Sequence, residues 1–97
     1  MRLNVRSKVW VYSGFAGWHF TTIGKTLAAR IKKESWGPRR GFGSIRVDAK
    51  IGKTQWKTLI FPTKEGTYLL ALKAEVRKKE RIAAGDRPSV QLTLLLN

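Results

Sequence analysis

The sequence predicts one mainly β domain with two short helices, spanning residues 1–97. Several segments alternate apolar and polar residues, as half-buried strands do, and two others place apolar residues four apart, as helices do. A weak internal repeat is the third observation, and it relates the two halves of the chain. A chain of 97 residues suits one hydrophobic core rather than two.

The first predicted strand covers residues 3–13, where every second residue from Leu3 to Val11 is apolar except Ser7. A glycine-containing loop follows, and residues 18–23 form a returning strand rich in aromatic and β-branched side chains. Large aromatic residues are usually buried, which predicts core positions for part of this set. The aromatic residues expected in the core are Trp18, Phe20, Trp56 and Phe61.

Residues 24–36 change to helical spacing, with Leu27 and Ile31 four apart. The Gly37-Pro38 pair ends this first helix, because glycine accepts a left-handed conformation and proline cannot continue a helix. Residues 36–44 therefore form a hinge between the two halves of the chain.

The second half contains more strands. Its predicted elements are a strand at residues 44–51, a strand at 54–61, a short strand at 67–70, a helix at 71–82 and a closing strand at 89–96. Gly52 and Lys53 can form a two-residue hairpin turn with glycine in the first central position. The helix would place Leu72 and Val76 inward and end at Gly85.

The internal repeat matches Phe20 with Tyr68 and Lys25 with Lys73, each pair 48 residues apart. The half-repeats cover roughly residues 3–36 and 44–97. A pseudo-twofold axis between the halves would let their sheets close into a barrel. A closed barrel removes most free strand edges, which are otherwise prone to pair with other chains.

The composition excludes several kinds of site. Cysteine is absent, His19 is the only histidine, and the six acidic residues are scattered, so no metal cluster or pair of catalytic carboxylates can be named. Both Gly-Lys-Thr tripeptides lack the earlier glycine of a phosphate-binding loop. We therefore expect a non-enzymatic protein with no catalytic residue, metal or cofactor.

Hydropathy gives an expectation about location. No apolar run approaches the roughly 20 residues that a membrane helix needs. No signal-peptide pattern is visible, because the apolar run near residue 10 has polar flanks and no small-residue cleavage site. These features predict a soluble, cytoplasmic protein with no membrane partner.

Charge is the strongest compositional signal, since 20 Lys and Arg against 6 Asp and Glu leave a net charge of +14. Cations that neutralise phosphates, with aromatic rings that stack on unpaired bases, are typical of single-stranded nucleic-acid binding. The predicted partner is therefore nucleic acid or another polyanion. The candidate binding residues are Arg39, Arg40, Arg46, Lys50, Lys53 and Lys57.

Within this set, Arg39 and Arg40 lie in the hinge and have no evident structural reason to be basic. The competing interpretation is that the charges form only a solvated surface. In that case Trp10, Tyr12 and Trp36 would cap the barrel ends or cover a second layer of the core rather than bind a partner.

Two other functions stay open. One is a small-ligand-binding or enzymatic barrel with a pocket near Trp18, His19 and Trp56. A histidine between aromatic residues on a strand is, however, more typical of a structural side chain than of a general base. The other is a structural or protein-interaction domain.

Several motifs occur in order: AGWHF at residues 16–20, GFGSIRV at 41–47, IGKTQWKT at 51–58, the Phe61-Pro62 pair, and YLL at 68–70 leading into Lys73. Together they resemble the bacterial domain-of-unknown-function family nineteen-oh-five. The similarity covers nearly the whole chain. It implies a double-split β-barrel formed by two pseudo-twofold-related halves of one chain.

The resemblance also extends to the swapped-hairpin regulators and antitoxins, in which two chains build one barrel and bind DNA. The helix that begins near Lys73, the Gly85-Asp86 turn and the final strand look like the swapped-hairpin pattern. Because both halves lie on one chain here, dimerisation is not needed to close the barrel. We therefore expect a monomer, with a weak homo-oligomer as the alternative, and the DNA-binding geometry of the regulators does not carry over. The family has no established activity, so the resemblance implies no functional residues, and an analogy of fold does not assign a function.

Overall fold

A computed structural model describes residues 1–14, 17–35 and 43–95. The described elements are β1 (Arg2–Arg6), β2 (Val9–Val11), β3 (His19–Ile23), α1 (Lys25–Glu34), β4 (Ile45–Ile51), β5 (Thr54–Pro62), β6 (Tyr68–Ala71), α2 (Ala74–Glu80) and β7 (Ser89–Leu94). These elements confirm a mainly β fold with two short helices.

The seven strands of the described residues form one antiparallel sheet in the order β1-β7-β4-β5-β6-β3-β2. β1 and β2 stand at opposite ends of this order, yet only Ser7 and Lys8 separate them along the chain. The sheet must therefore curl until its two ends approach each other. The result is a barrel-like wall around a single core.

The prediction of one continuous strand over residues 3–13 is wrong, because the structure divides this segment at Ser7 and Lys8. β1 pairs with β7 whereas β2 pairs with β3, so the chain changes partner at the break. The buried Thr21 hydroxyl lies 2.8 Å from Ser7 Oγ and donates to the Ser7 carbonyl at 3.1 Å. Thr21 thus satisfies a backbone group that the ladder has released.

β5 pairs with β4 along one edge and with β6 along the other, and Ile60 pairs with both strands. Its first residues pair with β4, with Thr54 opposite Ile51, while its last residues pair with β6, with Phe61 opposite Leu69. Gly52 begins the β4–β5 turn at φ +56°, a conformation that favours glycine. The predicted hairpin turn is confirmed.

The neighbouring strands β3 and β6 contain residues that the sequence repeat matches. Phe20 lies opposite Ala71, and Tyr68 lies opposite Ile23. A shift of 48 residues converts the first pair into the second, and a helix follows each strand. The matched residues face opposite sides of the sheet, however, because Phe20 faces outward and Tyr68 is buried in the core. The 48-residue shift therefore relates the order of strand and helix in the two halves, but it does not establish a local twofold axis between β3 and β6.

The core is formed by the inward side chains of the strands and one face of each helix. Its largest fully buried apolar residues are Ile23, Ile31, Ile60, Leu70, Leu92, Val9, Val47 and Val90. α1 contributes Ala28 and Ile31, and α2 contributes Val76. Burial of this apolar surface is the main favourable contribution to folding.

The aromatic core prediction is right for Trp56 and wrong for Trp18 and Phe61, which are 51% and 41% exposed. Strand alternation gives the reason, because successive side chains point to opposite faces. Ile60 faces the core, so Phe61 beside it faces outward. Phe20 faces outward for the same reason and is half-buried.

Both helices are shorter than predicted. α1 ends at Glu34, two residues before the predicted end. α2 starts at Ala74 rather than at residue 71, because Ala71 still pairs with Phe20 in the sheet. Arg81 ends α2 in a left-handed conformation, at φ 54° and ψ 48°.

The prediction that Gly85-Asp86 ends α2 is therefore wrong. This segment contacts β2 instead: Val9 N donates to the Asp86 carbonyl at 2.9 Å, and Gly85 N donates to the Val9 carbonyl at 2.8 Å. Gly85 has φ +97°, a value that side-chain-bearing residues rarely adopt. This turn therefore forms hydrogen bonds with the backbone of Val9, next to the break between β1 and β2.

Candidate functional site

The outer side of the sheet carries an unusual set of exposed rings. Strand alternation creates it, because Val9, Thr21 and Leu70 face the core and their neighbours in sequence face outward. We name these outward residues the aromatic face; they are Trp10, Tyr12, Trp18, Phe20, Phe61 and Leu69. They come from β2, β3, β5 and β6, or directly flank those strands.

Three of the rings form a fixed row. The centroids of Trp10 and Phe20 lie 5.2 Å apart with a 37° tilt, and those of Trp18 and Phe20 lie 5.9 Å apart at 16°. Both distances lie in the range of favourable aromatic pairs. Trp10 Nε1 donates to Thr22 Oγ1 at 2.9 Å, which fixes the indole on the sheet. The row is therefore organised before any partner binds.

The aromatic face is open to solvent among the described residues. Tyr12 and Trp18 are each 51% exposed. A shallow groove of about 380 Å³ runs between them, lined by Trp10, Tyr12, Trp18, Phe20 and Leu69. Contiguous exposed apolar surface of this kind marks an interaction site in small proteins.

A second region, the basic face, lies on the outer side of β1 and of the β4–β5 hairpin. We define it by Arg2, Arg46, Lys50 and Lys57. Arg46 lies opposite Leu59, and Lys57 lies opposite Asp48. The carboxylate of Asp48 accepts a hydrogen bond from Gln55 Nε2 at 2.8 Å, and among the described residues it forms no ion pair with these cations.

The two faces meet along β5. Lys57, Leu59 and Phe61 alternate with inward residues and so share its outer side. Phe61 lies opposite Leu69 of the aromatic face, while Leu59 lies opposite Arg46 of the basic face. Basic and aromatic side chains thus form one continuous surface.

The structure brings three of the sequence-predicted binding residues together, namely Arg46, Lys50 and Lys57. Lys53 is exposed in the hairpin turn at the end of the same two strands. Arg39 and Arg40 lie outside the described residues, as do Trp36 and Phe42. Nothing in the described structure bears on that part of the prediction.

The predicted ligand pocket is divided. Trp18 and His19 line a half-open cavity of about 300 Å³, whereas Trp56 does not line it and is buried in the core. The remaining lining residues are Gly17, Ala71, Leu72, Lys73, Ala74 and Arg77. We name this cavity the His19 pocket.

Three hydrogen bonds order the side chains of the His19 pocket. His19 Nδ1 lies 2.7 Å from the Gly17 carbonyl, which can only accept, so this nitrogen carries the proton. The other ring nitrogen, Nε2, lies 3.5 Å from Arg77 Nη1. Arg77 Nε donates to the Leu72 carbonyl at 3.1 Å, and this bond holds the guanidinium against the pocket wall.

A family model for a domain of unknown function (DUF1905) matches residues 6–92, a span that contains every described element from β2 to α2. The chain belongs to this family. The family's description assigns no activity, so membership does not identify a substrate or partner. No curated protein matches the chain.

Within the part of this family domain that the structure describes, no three His, Cys, Asp or Glu residues are grouped as a metal site would require. Neither α1 nor α2 is long and apolar enough to cross a membrane.

Exposed cations also occur on both helices, for example Lys33 and Lys78, so charge alone does not select one surface. The aromatic and basic faces differ from the helices because exposed rings lie beside the cations there.

The sequence-based reasoning missed two groups of residues. Trp18, Phe61 and Leu69 were not predicted to form a surface, although counting strand parity from Ile23 would have placed Phe20 and Trp18 outward. Arg77 was missed because nothing local links it to His19, 58 residues away in the sequence.

Proposed function

We propose that this protein is a non-enzymatic module that binds single-stranded nucleic acid through the aromatic and basic faces together. The observation that carries the proposal is the continuous surface across β5, where exposed rings adjoin cations that form no ion pair within residues 1–14, 17–35 and 43–95. Other polyanions would satisfy the cations, but only an unpaired nucleic-acid strand also offers bases to the rings.

The geometry favours an unpaired strand over a duplex. Bases in a duplex already stack on each other, so their flat sides are not available to Trp18 or Phe20. A single strand can lay its bases on this row while its phosphates approach Arg46 and Lys57. Loss of one such stack typically costs about 1–3 kcal/mol.

The first test is a fluorescence titration of the whole protein with a mixed-sequence oligonucleotide, single- or double-stranded, at about 50 and 200 mM salt. We expect the single strand to bind more tightly and to quench tryptophan fluorescence. Trp18→Ala should weaken its binding at least about fivefold. Val11→Ser is the matched control, since Val11 is also exposed on the hairpin but its side chain points away from the rings.

The same titration tests the basic face. Arg46→Gln should reduce the salt dependence by about 0.7 in the slope of log affinity against log salt, as expected for one phosphate contact on a single strand. Lys33→Gln, on the exposed side of α1, should leave that slope unchanged. The proposal fails if no oligonucleotide binds at low salt, or if duplex and single strand bind equally and Trp18→Ala has no effect.

A further inference from the structure

The His19 pocket adjoins the aromatic face, because Trp18 lines both the pocket and the aromatic groove. The pocket has a volume of about 300 Å³, at the lower end of the range for small-ligand sites. A ligand in the pocket could therefore stack a ring on Trp18 while another part of it extends toward Arg77.

The pocket is cationic. Lys73 and Arg77 line it and are positively charged, and none of its lining residues is acidic. Arg77 is half-buried and forms no ion pair among the described residues, where the one pair is Lys79 with Glu75. A partly desolvated guanidinium without a carboxylate leaves donors free for an anion, and Arg presents them in a fork that matches phosphate oxygens.

The Arg77 side chain is also fixed in place. Its Nε donates to the Leu72 carbonyl and its Nη1 contacts His19 Nε2, whereas its Nη2 forms no hydrogen bond among the described residues. His19 is in turn held by the Gly17 carbonyl. An anion at this site would meet donors that lose little conformational freedom on binding.

We infer that the His19 pocket binds a phosphate monoester attached to a nucleoside, with the phosphate at Arg77 and Lys73 and the base against Trp18. A monoester is nearly a dianion at neutral pH and matches two adjacent cations, whereas the diesters inside a strand carry one charge each. The inference rests on the proposed function, in which Trp18 begins the row of rings for a strand. The terminal phosphate of that strand and a free mononucleotide share this chemistry.

The test compares oligonucleotides of one sequence that end in a 5′-phosphate, a 3′-phosphate or hydroxyls only, together with a free nucleoside monophosphate and its nucleoside, all titrated into the whole protein. We expect one phosphorylated end to bind about tenfold more tightly than the hydroxyl end, since hydrogen bonds to a charged group contribute about 1.5–3 kcal/mol. Tighter binding of the free monophosphate than of its nucleoside, without any preference for a strand end, would assign the pocket to mononucleotides.

Arg77→Met should abolish the preference for phosphate and leave binding of the hydroxyl-ended strand unchanged. Lys78→Met removes the same charge from an exposed position on α2 outside the pocket and should keep the preference. Lys73→Gln is a second variant, because Lys73 caps α2 without a side-chain hydrogen bond and its loss should not unfold the helix.

The possible failures are distinguishable. Equal binding of all three oligonucleotides, with no binding of the monophosphate, overturns the inference and leaves the proposed function standing. A preference that survives both Arg77→Met and Lys73→Gln in folded protein also overturns it. If no oligonucleotide binds at all, the proposed function fails as well.

Discussion

Thr21 is fully buried on β3, yet it is polar, and its hydroxyl lies where the chain passes from β1 to β2. Ser7 and Lys8 at this point pair with neither neighbouring strand in the ladder. The Thr21 hydroxyl donates to the Ser7 carbonyl and lies close to Ser7 Oγ. The Thr21 side chain therefore lets the chain pass from pairing with β7 to pairing with β3 without leaving the Ser7 carbonyl unsatisfied.

Replacing Thr21 by valine tests this role. Thr21→Val keeps the shape but removes the hydroxyl, leaving the Ser7 carbonyl and hydroxyl less well paired, and we expect the free energy of unfolding to fall by about 1–3 kcal/mol. Chemical denaturation measures it. Thr93→Val, at an outward position on β7, is the control and should change stability little. A Thr21→Val protein as stable as the wild type would contradict the role.

At this scale, strand alternation predicts the inward apolar residues and, when it is counted from Ile23, also the outward positions of Phe20 and Trp18. The expectation that large rings are buried predicted the opposite for these two and was wrong. Ile45, Val47 and Ala49 are buried as their alternation indicates. The usual burial of large aromatic side chains predicts core positions for Trp18 and Phe61, but their positions in or beside the strands turn both side chains outward. For these residues, the position in the strand decides whether the side chain faces the core or the solvent, and its hydrophobicity does not.

The N-terminus of helix α1 has few stabilising interactions. Gly24 is its N-cap and provides no side-chain hydrogen bond, and the first turn has no acidic residue. Its last turn is favourable, because Lys32 and Lys33 complement the negative end of the helix dipole. Packing of Ala28 and Ile31 into the core therefore contributes more to its stability than its ends do.

Adding a cap should stabilise this helix. Gly24 has φ −63° and ψ 169°, an N-cap conformation that any residue adopts, and a Cβ there meets no atom within 4 Å. Gly24→Asp should raise the free energy of unfolding by roughly 1 kcal/mol, through the cap, the dipole and the stiffer unfolded chain. Gly24→Ala is the control, since it stiffens the unfolded chain in the same way but adds neither a capping oxygen nor a negative charge. Equal stability of the two variants would exclude the capping contribution.

The net charge acts on the whole molecule, whose principal extents are 36 × 29 × 22 Å. With +14 charges and, among the described residues, a single ion pair, repulsion between cations exceeds local attraction. The screening length falls from about 30 Å at 0.01 M salt to about 8 Å at 0.15 M. Charges therefore interact across the entire protein only at low salt.

We accordingly expect the melting temperature to rise between about 0.01 and 0.15 M sodium chloride, because salt removes this repulsion. Calorimetry or circular dichroism would measure it. The double variant Lys64→Glu with Arg87→Glu alters two exposed loop residues and should flatten the response. A melting temperature that falls with added salt would mean that attractive pairs dominate instead.

The sequence by itself determined the mainly β fold, both helices, the hairpin turn and most of the core, because alternation, helical spacing and turn chemistry are local properties. Only the tertiary structure decided where the first strand divides, that the rings share one outer face, and that Arg77 reaches His19. Each of these depends on which strands pair and in which register. Such long-range choices follow from the packing of the whole chain rather than from any segment of it.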